Sequence, residues 1–133
     1  MKSKKQFILD TLLPYKENPK SCAIGDDGCM YLMEDGRKCA VGKHMLKGEW
    51  QSSMGNVECV FRNFGEKKVL KKYAIMQKLT NKQWCSMQAY HDMLARHIDL
   101  NYQQVIVINS HVRILERSLG IELDELYIEN SYD

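Results

Sequence analysis

The stretch CMYLMEDGRKCAVGKH, residues 29–44, decides how the fold is read. Asp35-Gly36 is a strong hairpin-turn signal, because glycine takes positive φ without steric cost. On that reading Cys29 to Met33 is an incoming strand and Arg37 to Cys39 an outgoing one. Cys39-Ala40-Val41-Gly42 is small and apolar, suited to a tight corner that runs into a short helix over Ala40 to Leu46. A strand at Cys22-Ala23-Ile24, followed by turn chemistry at Gly25 to Gly28, can precede the hairpin.

Outward from this centre the pattern is helical. Before it, Ser3 to Leu13 places Phe7, Ile8 and Leu12 on one stripe, with Leu9 and Leu13 widening it. Pro14 is expected to end or distort that helix, since the residue before a proline avoids the helical region. After the hairpin, Val57 to Phe64 reads as a short helix capped by Gly65, and Lys67 to Leu79 as a looser one. Thr80 to Ile98 is a long helix opened by a Thr80–Gln83 capping box. Its stripe is Trp84, Met87, His91, Leu94 and Ile98. Asn101 to Leu119 is another, with Val105, Ile108, Val112, Leu115 and Leu119 on the same stripe and Gly120 as terminator. The expected class is α+β: a helix-dominated single domain over residues 1–133, with a small antiparallel β-hairpin packed on four to five helices. The tail from Glu129 to Asp133 is expected to fray. The core should contain Trp84, Met87, Leu94, Val105, Ile108, Val112 and Leu115.

Composition excludes several classes. With 44% hydrophobic and 27% charged residues the chain is a globular protein and not a disordered tail. No apolar run approaches the ~18 residues of a membrane helix, and the N-terminus does not read as a signal peptide. Five cysteines, an odd number, fit free thiols in a reducing cytoplasm better than a disulfide framework. The net charge of +2 implies no polyanionic partner. The densest basic run includes Lys67, Lys68, Lys71 and Lys72. Such a run is usually a solvated helix face, so nucleic acid is the less expected partner.

Three constellations can carry chemistry. Cys22, Cys29, Cys39 and His44 supply soft ligands of the kind a structural zinc needs. They contain no C-x-x-C pair, and cysteines on a hairpin are more often small core residues. Cys39, at a strand-to-helix junction that can lower a thiol pKa, could serve as a nucleophile with His91 as base and Asp92 as orienter. A histidine on an apolar stripe is, however, more often a packed and satisfied one. Trp84, Gln88, His91, Asp92 and Arg96 line one side of a helix and can bind a small polar ligand. The plainer account of Asp92 and Arg96 is an i,i+4 pair worth a few tenths of a kcal/mol. Nothing in the sequence calls for a cofactor.

Cys29-x-Tyr31 followed by Asp35-Gly36-Arg37-Lys38-Cys39-Ala40-Val41-Gly42 resembles a pattern of small uncharacterised phage and bacterial proteins, C-x-Y then D-G-x-x-C-A-x-G. Met87 to Asp92 is similar to a Gln-x-x-His-Asp segment downstream in them. A proline-containing turn tends to follow their C-A-x-G, and Lys43 to Leu46 has none. The resemblance implies a phage-type accessory protein with no established activity. The leading expectation is therefore a non-enzymatic binding or regulatory protein, of the accessory or counter-defence kind, acting on a host protein or complex. A thiol-dependent enzyme built on Cys39 and a zinc-stabilised interaction module are the alternatives.

Overall fold

The computed structural model describes residues 2–25, 28–29, 33, 35–46, 60–62, 65–96 and 100–129. Five helices organise them: α1 (Lys4–Glu17), α2 (Glu66–Val69), α3 (Lys72–Ile75), α4 (Asn81–Arg96) and α5 (Tyr102–Leu119), with a helical turn at 60–62 before α2. The expected α+β class is corrected. Among the described residues the fold is helical. The only strand pairing there besides isolated bridges is a two-residue ladder, Ile24–Gly25 with Gly28–Cys29, too short to form a layer. The incoming limb, Met30 to Leu32, lies outside the described residues.

The outgoing limb shows why sequence pattern misled here. Asp35-Gly36 does make a turn, with Gly36 at φ +92° and the Met33 amide donating to the Arg37 carbonyl at 2.8 Å. Beyond it, however, Lys38 makes an isolated bridge rather than a ladder, and several neighbouring backbone groups bond to side chains. The Arg37 amide donates to Asp35 Oδ1 (3.1 Å), and the Lys38 carbonyl accepts from the Tyr15 hydroxyl (2.5 Å). The Val41 amide donates to Gln88 Oε1 (3.2 Å), and the Gly42 amide to Cys39 Sγ (3.2 Å). Buried amides need partners, and these supply them without a ladder. The helix expected over Ala40 to Leu46 is a tight 3-10 turn, Gly42–His44.

Helix α1 runs four residues past its expected end and straight through Pro14. Proline removes the bond to the Asp10 carbonyl, but Asp10 and Pro14 face solvent, where water can take that carbonyl. The buried stripe of Phe7, Ile8, Thr11, Leu12 and Tyr15 continues across it. Ser3 caps the start, its hydroxyl accepting from the Gln6 amide at 3.1 Å. The loose 67–79 segment breaks at Leu70-Lys71. There Leu46 N donates to Val69 O (2.8 Å) and Lys71 N to His44 O (2.7 Å), which clips residues 44–46 against the chain. Helix α4 opens with the Thr80–Gln83 capping box (2.8 and 3.2 Å). Helix α5 opens with one from Asn101 and Gln104 and closes on Gly120 at φ +64°. Both strong stripes face inward. Trp84, Met87, Leu94, Ile108, Val112 and Leu115 are buried in one cluster that reaches from Phe7 to Leu126, and Val105 is buried as well. Of the helix expected over 57–64, residues 57–59 and 63–64 lie outside the described ones, while Val60 and Phe61 are buried. The tail beyond Glu129 also lies outside them.

Helices α4 and α5 pack against each other, and α1 packs against α4. Phe7 meets Trp84 edge-on at 5.8 Å between centroids, and Tyr15 meets His91 at 4.6 Å. Aromatic residues two turns apart on α1 thus mark two places where loop segments are fastened to the helices.

Candidate functional site

The first place lies where the two loop segments cross α4. His91 is fully buried. Its Nε2 lies 3.1 Å from the Ala23 amide, which can only donate, so Nε2 is the acceptor. The ring proton is therefore on Nδ1, which donates to Asp92 Oδ1 at 2.9 Å. The same oxygen accepts from Gln88 Nε2 at 2.8 Å, leaving Gln88 Oε1 for the Val41 amide. Gln88 and His91, one turn apart, each hold one backbone amide of a different loop. The two stretches that carry the resemblance, Cys39 to Gly42 and Gln88 to Asp92, are in contact here.

Cys39 belongs to this corner. It is 1% exposed, and burial pushes its thiol up to about 12, with the Asp92 charge adding to it. Cys22, equally buried, is raised to about 12 by burial and then by Asp92. A protonated, enclosed thiol is a poor nucleophile. The His91 lone pair that a Cys-His device needs is already held by the Ala23 amide. The structure thus brings Cys39, Gln88, His91 and Asp92 into one network, but as fastenings between loop and helix.

The remaining sequence candidates separate. Trp84 is buried beneath the other site, its ring 5.9 Å from His44 and 6.2 Å from Phe61. Arg96 is exposed at the end of α4, and among the described residues no ion pair joins it to Asp92. Of the zinc set, the Cys29 side chain lies outside the described ones. Among the described residues no three His, Cys, Asp or Glu side chains gather to hold a metal ion. Lys67, Lys68 and Lys72 are exposed on the short helices, and Lys71 sits half-buried between them.

The second place is a half-open cavity of about 450 Å³, lined by Lys2, Phe7, Asp10, Thr11, Lys43, His44, Tyr73 and Gln77. His44 forms its inner wall. Thr11 Oγ1 donates its one proton to the Phe7 carbonyl (2.8 Å), so it accepts from His44 Nε2 at 2.8 Å. His44 Nδ1 is then bare and accepts from the Tyr73 hydroxyl at 2.8 Å. Burial holds the imidazole down at about 4, and the Lys43, Lys71 and Lys2 charges press it the same way, so it is neutral at pH 7. At the mouth, Lys2 pairs with Asp10 (2.6 Å), whose other oxygen accepts from Gln6 (2.6 Å). Lys43 reaches inward. Its ammonium donates to the Thr11 carbonyl (2.8 Å) and lies 4.0 Å over the Tyr15 ring. Such a site can orient a ligand by an ammonium above an apolar floor of Phe7.

Thr11, Lys43, Tyr73 and Gln77 were not marked by sequence reasoning. One signal was present: Thr11 sits on the buried stripe of α1, and a hydroxyl there must find a buried partner. Tyr73 fell in the loosely patterned segment and carried no comparable sign. No family model matches the chain, and neither a curated protein nor a solved structure does.

Proposed function

We propose that the protein is a small non-enzymatic binding module, of the accessory or counter-defence type its motifs resemble in phages. It engages a host protein or complex through the face that carries the His44 pocket. One contrast supports this reading above all. The residues nearest to a catalytic set, Cys39, His91 and Asp92, spend their polar atoms holding the fold together. The His44 pocket instead combines an apolar floor with convergent polar groups at a cavity of ligand size.

The test is affinity capture from the host with the wild type and with Tyr73→Arg, which places a long cationic side chain at the pocket mouth. Tyr73 is 47% exposed, so the variant should fold. A captured protein that also binds the purified wild type directly, and loses that binding in Tyr73→Arg, is the expected result. Maleimide labelling and metal content of the same sample address the other readings. A single fast-labelling thiol at Cys39 would move the thiol enzyme to first place, and stoichiometric zinc would favour the zinc-stabilised module.

A further inference from the structure

We infer that the His44 pocket binds a carboxylate carried on an apolar body, with the Lys43 ammonium as its counter-ion and Phe7 and Tyr73 as its walls. This rests on the binding-module reading and gives that site a ligand chemistry.

The argument begins with Lys43. Its charge is half-buried, and desolvation lowers its pKa. Its partners are a carbonyl and an aromatic face, both neutral. Among the described residues no carboxylate pairs with it. Buried or partly buried charges normally acquire a counter-ion, and the cavity adjoins this one. The nearest acid, Asp10, is tied to Lys2 and Gln6. The charges felt at His44 agree: Lys43, Lys71 and Lys2 all press on it in the same direction. The cavity therefore carries positive potential over an apolar floor.

That combination selects the ligand. A bare inorganic anion would leave the Phe7 floor uncovered, and a neutral apolar molecule would leave Lys43 without a partner. A phosphate dianion calls for more donors, from an arginine fork or a helix N-terminus, and neither is among the lining residues. The single charge of one ammonium matches that of a carboxylate. It can come from a free small acid or from the carboxyl terminus of a peptide.

Benzoate and its neutral isostere benzamide are the first probes, followed by NMR on the full chain. The expected result is saturable shifts at Phe7, His44 and Tyr73 with benzoate and none with benzamide. A negative charge beside the imidazole should also raise the His44 pKa by about one unit, a response that packing alone does not produce. Lys43→Met keeps the stem over Tyr15 and should weaken benzoate at least about tenfold, while Lys43→Arg keeps the charge and stays within a few-fold. N-acetylphenylalanine and its amide form the second pair. Tighter binding of that acid than of benzoate assigns the site to chain termini, and the reverse assigns it to small acids. Equal binding of benzoate and benzamide, no binding of either, or an unmoved His44 pKa would overturn the inference. Should Lys43→Met fail to fold, the wild-type titration decides alone. If partner capture depends on Tyr73 but carboxylates do nothing, this inference fails and the binding module stands. If capture fails and benzoate binds, the reverse holds.

Discussion

His44 and His91 are two buried imidazoles in matching positions. Each packs against an aromatic ring of α1 at 4.6 Å between centroids, Phe7 for one and Tyr15 for the other. Each uses both ring nitrogens, yet in opposite tautomers. His91 carries its proton on Nδ1 and gives it to a carboxylate; His44 carries its proton on Nε2 and gives it to a hydroxyl. His91 holds a backbone amide from a distant loop, in a place with 0% exposure. His44 is held by two hydroxyls, stands among lysines and borders a cavity. A buried histidine fastened to backbone is a structural part. One fastened to side chains beside a cavity is free to serve a site.

The largest expected effect comes from the fastened one. His91→Ala opens a cavity and leaves the Ala23 amide with no acceptor in a place water does not reach. Together these should cost about 3–5 kcal/mol, read as a lower urea midpoint at unchanged slope. A loss below that of His44→Ala would break the comparison.

The pH dependence separates the two next. His44 has a folded pKa of about 4 against an ordinary 6.5, so the unfolded chain binds a proton more readily. Its contribution is fully present above pH 6.5 and is lost as pH falls from there to about 4. The loss is about 3 kcal/mol. Urea midpoints from pH 7 to 4 should show that slope in the wild type, and His44→Gln should flatten it. An equal slope in both proteins would place the acid sensitivity elsewhere.

How far this contrast was legible in the sequence depends on the kind of signal each part leaves. The long helices were legible because packing repeats. Trp84, Met87 and Leu94 step along one face of α4, as Val105, Ile108, Val112 and Leu115 do along α5, and all are buried. The expected sheet failed for a different reason. Alternation at Arg37-Lys38-Cys39 describes side chains, whereas the fold there is set by where backbone amides go. Val41 and Ala23 find acceptors on Gln88 and His91, more than 40 positions downstream. Local pattern contains no trace of such partners. His44 was singled out only as a metal ligand, since nothing near it in sequence announces Thr11 or Tyr73. Gln88, His91 and Asp92 do meet, since helical spacing alone brings Gln88 and Asp92 together.

Gln88→Ala sharpens the distinction at lower cost. It removes the acceptor of the Val41 amide and one donor to Asp92, about 1–3 kcal/mol. Because Cys39 shares this corner, opening it should also speed maleimide labelling of that thiol relative to wild type. A thiol that stays equally protected would show that Gln88 does not help to close the corner.

Tyr73→Phe should have the smallest effect, and its smallness is informative. The substitution deletes the hydroxyl that donates to His44 Nδ1 and keeps the ring against Phe7. Tyr73 is 47% exposed, and His44 faces a cavity large enough for water. A water molecule can therefore replace the lost donor, at a net cost of about 0.5–1.5 kcal/mol. The His44 proton on Nε2 stays with Thr11, so the tautomer should persist, which nitrogen chemical shifts of the ring can read. At His91 no such substitution is available, since its amide partner is enclosed. A Tyr73→Phe loss as large as that of His91→Ala would mean that water does not reach Nδ1. The cavity beside His44 would then be closed to any polar ligand as well.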